Sequence, residues 1–398
     1  YSMKENQSNP GVELNSNAPL PYLDGVRGLA ILLVGLGHIF YDYYIFKIGW
    51  VGLNLFFVLS GYLITQRLYH FSGQSIRNYF RNFYARRILR IFPLYYLVLA
   101  FFLVILPGLS VRFYNHFSSL GDIQMTYWTY TSNWNMIVNG LPGQSIFFHF
   151  WSLAVEEQFY FLWPILFVLF TGTRARYILI AIIISISIFA RIITVEPLHA
   201  YVSTLTAAEP LLIGSLISIV AQNGFLKKMA KWMTVAAVIS IIGLSIIFIL
   251  NSDLHITNLP LMKYGYSAIN LVMGFLLCSV LTGQLPGMKL RTVFSMNWLR
   301  WLGKYSYAIY VFHWIVLQTL IFRLDYFLRG TTGSELTAYF VARGLGILFI
   351  LLISYCSYHF LEKYFIGMKK YFSQDKAWKW PDWQMLHSLK RERKLARD

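Results

Sequence analysis

Residues 22–41 read Tyr-Leu-Asp-Gly-Val-Arg-Gly-Leu-Ala-Ile-Leu-Leu-Val-Gly-Leu-Gly-His-Ile-Phe-Tyr, with Asp24 the one carboxylate, Arg27 the one guanidinium and His38 the one imidazole. A helix of this length reaches about 30 Å, the thickness of a bilayer's hydrocarbon core. Further apolar stretches recur at roughly 49–66, 92–107, 148–170, 177–193, 206–222, 233–250, 265–283, 305–323 and 338–360. The expected fold is therefore all-α, a polytopic membrane protein with about ten transmembrane helices.

Composition agrees. Of 398 residues, 57% are hydrophobic and 13% charged, and mean hydropathy is +0.52, whereas soluble proteins carry about 25% charged residues. The net charge of +17 would suggest nucleic-acid binding in a soluble chain. Here its placement reports orientation, because cytoplasmic loops collect Lys and Arg. Segments 67–90, 171–177, 223–232 and 285–304 hold fifteen basic residues, against Lys47, Arg112, Lys263 and Arg329 on the opposite side. This bias predicts both termini in the cytosol, with membrane lipids as partners and no nucleic acid. Residues 1–20 read as a polar cytosolic tail without the apolar run of a secretory signal. Residues 21–365 read as the transmembrane domain and 366–398 as a basic cytosolic tail. Cys278 and Cys356 lie in apolar runs and read as packing residues.

The largest loop on the less basic side, 108–147, carries Tyr114, Tyr127, Trp128, Tyr130 and Trp134 among polar residues. Two readings stand for it. Its aromatic faces suit sugar stacking, and they equally suit an interfacial belt or a re-entrant packing piece.

Ionisable groups inside a membrane are costly and mark candidate sites. Arg27 and His38 lie eleven residues apart, so they share a helix face about 16 Å apart along the axis. Arg27 at the cytosolic mouth suits phosphate, which a guanidinium grips in bidentate fashion. It is equally an anchor paired with Asp24. His38, most of the way across, suits proton transfer, or is a satisfied buried histidine held by Asp42. The fourth apolar stretch opens His149-Phe-Trp-Ser-Leu-Ala-Val-Glu-Glu-Gln158. Ser152 and Glu156 share a face, and Glu157 points about 100° away. Glu156 is expected in the interior, at the depth of His38, where a carboxylate on imidazole fixes its tautomer. Ser60-Gly61 permits close helix approach. Arg86, Arg87 and Arg90, in the loop after the second stretch, suit lipid headgroups or a nucleotide phosphate equally. Tyr307, Tyr310 and His313 follow one another at intervals of three, near a central passage.

Together these segments resemble the acyltransferase-3 family of integral membrane O-acyltransferases, from about residue 20 to 365. The resemblance rests on Tyr22-Leu-Asp-Gly-Val-Arg-Gly-Leu-Ala30 with Arg-x10-His through His38, and on Phe56-Phe-Val-Leu-Ser-Gly-Tyr62. It rests also on the arginines at 86 to 90, on Trp151-Ser-Leu-Ala-Val-Glu-Glu-Gln-Phe-Tyr160, and on Ser306-Tyr-Ala-Ile-Tyr310 before His313. It implies transfer of an acyl group, usually acetyl, from cytosolic acyl-coenzyme A to a hydroxyl of a carbohydrate, lipid-linked or free, such as lipopolysaccharide, exopolysaccharide or peptidoglycan, in a bacterial inner or cytoplasmic membrane. No metal is implied. Arg27 and His38 are the implied essential pair, with Ser60, Arg87, Arg90 and Glu156 or Glu157 supporting. Asn54 stands where many members have an acid, and Tyr364 where Pro is frequent. Some relatives carry a C-terminal hydrolase-like domain, for which this chain is expected to be too short.

The mechanism expected has coenzyme A phosphates on Arg27 and the 86–90 arginines, and His38, oriented by Glu156, deprotonating the acceptor. His38 as a transient acyl carrier is the variant. The rival classes are a transporter, which predicts paired internal repeats, a non-catalytic partner of a polysaccharide assembly, and acylation of a non-carbohydrate small molecule. No second copy of the Arg-x10-His pattern occurs.

Overall fold

The computed structural model describes residues 20–71, 75–109, 121, 123–140, 145–251, 255, 258–283 and 289–372. The tail before Leu20, the basic tail after Phe372, and Arg112 and Tyr114 lie outside the described residues. Among the described residues, ten helices are long and apolar enough to cross a membrane: α1 Pro21–Ile39, α2 Tyr44–His70, α3 Ile76–Leu109, α4 Phe148–Leu169, α5 Thr173–Ile193, α6 Pro197–Gln222, α7 Leu226–Asn251, α8 Leu261–Thr282, α9 Asn297–Thr331 and α10 Glu335–Tyr371. The protein is a multi-pass, all-helical membrane protein. Helices dominate because a bilayer offers no water to backbone groups, which must then be satisfied within each segment.

Burial sorts the helices into a centre and a lipid-facing shell. In α2 and α6, 78% and 72% of the apolar window is buried, against 17% in α5 and α7. Helix α1 packs on α9 and α2, α2 on α6, and α7 on α8. Lipid is as apolar as leucine, so close backbone approach rather than hydrophobicity must hold such crossings together. Glycine provides it: a Cβ on Gly303 of α9 would collide with the Asp24 carbonyl of α1, and one on Gly61 of α2 with the Leu211 carbonyl of α6.

Two expectations need correction. The arginines at 86, 87 and 90 are not in a loop. Helix α3 begins at Ile76, capped by Ser75, and runs unbroken through them, because nothing before Pro93 interrupts the helix and its basic half needs no lipid cover. The 108–147 stretch is also not wholly loop. Short helices Ile123–Trp128 and Ser132–Asn139 fold inward, and Tyr127 and Tyr130 are buried. Tyr127 hydrogen-bonds Ser145 at 3.0 Å, and the Tyr130 ring stacks on Tyr95 with centroids 4.4 Å apart. Tyr130 sits at φ 54, unusual for a residue with a Cβ, and that stacking secures it. Burial pushes both hydroxyls above the usual phenol range. These two tyrosines are packing residues.

Candidate active site

A cavity of about 590 Å³ opens among α1, α2, α3, α4 and α9. Each helix contributes a stripe set by its 3.6-residue period. From α2 come Ser60, Leu63, Arg67 and His70. From α4 come Ser152, Glu156 and Tyr160, each four residues from the next, and from α3 come Arg87 and Arg90. Asp24 and Arg27 of α1 form an ion pair at its edge. Arg27, Arg67, Arg87 and Arg90 thus face two carboxylates, Asp24 and Glu156, and the cavity is net positive. Arg87 also lies over the Tyr160 ring, 5.2 Å from its centroid.

Glu156 lies beside the hydroxyls of Ser60 and Tyr160, which are bonded to each other. Glu157, one position on, turns toward Tyr95 and Tyr96 of α3, and its Oε1 is buried without a hydrogen-bond partner. Trp151 is core, packed on the Tyr201 ring at 4.7 Å. Arg86 does not line the cavity. Its Nη1 donates to the carbonyls of Lys369 at 2.9 Å and Phe372 at 3.2 Å. Arg86 thus ties α3 to the end of α10 and stands outside the cavity lining.

Ser152 and Tyr310 close the inner end of the cavity, bonded through their hydroxyls. Tyr310 O–H also donates to the His149 carbonyl at 2.8 Å. Beyond them lie three histidines. His313 Nδ1 is 2.6 Å from the Tyr310 carbonyl, and His313 Nε2 is 2.8 Å from His38 Nδ1. A carbonyl only accepts, so Nδ1 of His313 carries the hydrogen, and in the neutral pair its Nε2 accepts from His38 Nδ1–H. The free lone pair of His38 is then on Nε2. His149 stacks edge-on to His313 at 5.1 Å, and its Nε2 donates to the Val311 carbonyl at 3.1 Å.

Glu156 is not the partner of His38. It lies seven residues along α4 from His149, about 10 Å deeper, whereas the histidines share the opposite end of the bundle. Nor does Asp42 hold His38; its carboxylate accepts from Arg343 at 3.1 Å. His38 is partly exposed and is not among the cavity-lining residues. Arg67 and His149 are the residues that motif reading passed over. Arg67 was legible as the residue two turns along the Ser60 face. For His149 the one local signal was its place three residues before Ser152.

The family model described as "Acyltransferase domain" matches residues 20–359. YrhL of Bacillus subtilis, provisionally named a peptidoglycan O-acetyltransferase, is 30% identical over 86% of this chain and 54% of its own. The peptidoglycan O-acetyltransferase OatA of Listeria monocytogenes is 29% identical over 75% of this chain and 49% of its own. A Staphylococcus aureus protein provisionally named an O-acetyltransferase is 28% identical over 86% and 56%. The chain spans about half the length of these curated relatives. No solved structure matches it.

Proposed function

The chain belongs to the acyltransferase-3 family, and from that membership we propose that it is a membrane O-acetyltransferase. In this reading it carries acetyl from acetyl-coenzyme A, on the basic side of the membrane, to a hydroxyl of a cell-envelope carbohydrate on the other. Peptidoglycan is the acceptor to assay first, because OatA is named for it. The basic side is the cytosol, by the Lys and Arg bias.

One observation carries the reading: Tyr310 closes the cavity with its hydroxyl and holds His313 with its carbonyl, so the arginine-lined space ends one residue from the His313–His38 pair. The cavity volume lies in the range of small-molecule sites. Donor phosphates sit on Arg27, Arg67, Arg87 and Arg90, and the pantetheine arm runs along Ser60 and Glu156 toward Ser152 and Tyr310. His38 Nε2 takes the acceptor's proton as the hydroxyl oxygen attacks the thioester carbonyl carbon. The C–S bond breaks, and the imidazolium returns its proton to the departing thiolate. Glu156 stays with Ser60 and Tyr160, shaping the wall beside the thioester.

The test is transfer of labelled acetyl from acetyl-coenzyme A to total envelope glycan in membranes carrying wild type or His38→Ala. Label in glycan with wild type alone supports the reading and identifies the acceptor. Label in a non-carbohydrate product replaces the acceptor, and no transfer with coenzyme A still bound overturns donor or acceptor. Acid quenching that traps acetyl on His38 selects the acyl-carrier variant over the base.

A further inference from the structure

A charged group far from the cavity lies at the same end of the bundle as the histidines. Arg343 of α10 is 3% exposed, and an ionised side chain inside a membrane requires partners. Its Nε donates to the Ile39 carbonyl at 2.9 Å and its Nη2 to Asp42 Oδ2 at 3.1 Å. Its Nη1 lies 3.7 Å from Asp325 Oδ2. Ile39 is the last residue of α1 and the neighbour of His38. The final carbonyls of a helix have no donor within the helix, and a cation there also meets the negative end of its dipole. Asp325 belongs to α9, twelve residues after His313.

The guanidinium therefore joins the two helices whose separation sets the His38–His313 hydrogen bond. It reaches α1 through a carbonyl and α9 through a carboxylate. A planar fork with several fixed donors can serve both at once, whereas a lysine ammonium on the same stem presents one point of charge. We propose that Arg343 is a positioning residue. By pinning the end of α1 to α9 it holds the His38 ring on His313 and aims Nε2 at the acceptor. This rests on the reading of His38 as the base.

The experiment uses the full chain in detergent or native membranes, with Arg343→Gln, Arg343→Lys and Asp325→Asn. Displacement of reacting groups by about 1 Å can cost on the order of a hundredfold in rate. Arg343→Gln is expected to lower kcat at least about tenfold with acetyl-coenzyme A binding unchanged, Arg343→Lys to recover part of it, and Asp325→Asn to fall between. Carbethoxylation by diethyl pyrocarbonate, read on the His38 peptide by mass spectrometry, is expected to quicken in Arg343→Gln. Unchanged kcat in Arg343→Gln and Asp325→Asn overturns the proposal, as does parallel loss of kcat, coenzyme A binding and folded protein in all three variants. If wild type transfers nothing, the acyltransferase reading fails while the clamp is still judged by labelling. Equal His38 labelling in wild type and Arg343→Gln overturns the clamp on its own.

Discussion

His38 Nδ1 and His313 Nε2 lie 2.8 Å apart although 275 residues separate them in the chain. The Tyr310 carbonyl orders the pair from one side, and Nε2 of His38 is left as the free nitrogen. In the proposed reaction His313 would do for His38 what a carboxylate does in a hydrolytic triad, holding tautomer and orientation.

His313→Ala is expected to lower transfer about a hundredfold, the cost of a loosely held base. His313→Gln, whose side-chain oxygen can accept from Nδ1–H of His38, is expected to retain more. Initial rates at saturating acetyl-coenzyme A check this. Equal losses in the two variants would show that hydrogen-bond acceptance at this position is irrelevant.

Arg87→Gln and Arg90→Gln each remove a guanidinium from the cavity. Hydrogen bonds to charged groups are worth about 1.5–3 kcal/mol, so KM for acetyl-coenzyme A should rise roughly tenfold or more with kcat less affected. Arg86→Gln, which unties the end of α10, should leave KM unchanged and lower thermal stability. Titration of coenzyme A binding alongside thermal melts separates the three arginines.

Glu156→Gln keeps the shape of the wall formed with Ser60 and Tyr160 but removes its charge. If Glu156 shapes the donor site, the variant should leave the pH dependence of kcat at saturating donor as in wild type and act through KM for acetyl-coenzyme A. A displaced acidic limb of the kcat profile would instead couple Glu156 to His38.

Tyr130→Ala opens a hole beside Tyr95 and should destabilise the protein by about 3–5 kcal/mol, as for other large buried aromatics. Tyr130→Phe removes only a buried hydroxyl that has no hydrogen-bond partner and should be nearly neutral. Neither should change KM for the glycan acceptor. An acceptor-specific effect of Tyr130→Phe would restore the sugar-stacking reading of this segment.

Spans, their number and the face on which each polar residue lies were legible in the sequence. They depend on local quantities: the length of an apolar run, the 3.6-residue period and the cost of burying backbone polar groups. The shared face of Ser152 and Glu156 is of this kind, as is the divergence of Glu157. Which helices meet, and at what depth, depends on contacts between residues far apart in the chain. Only the tertiary structure put His313 rather than Glu156 on His38, turned Arg86 away from Arg87 and Arg90, buried Tyr127 and Tyr130, and brought Arg343 to Ile39. No periodicity encodes those pairings, because helix packing in a membrane is decided by where small residues such as Gly61 and Gly303 let two backbones touch.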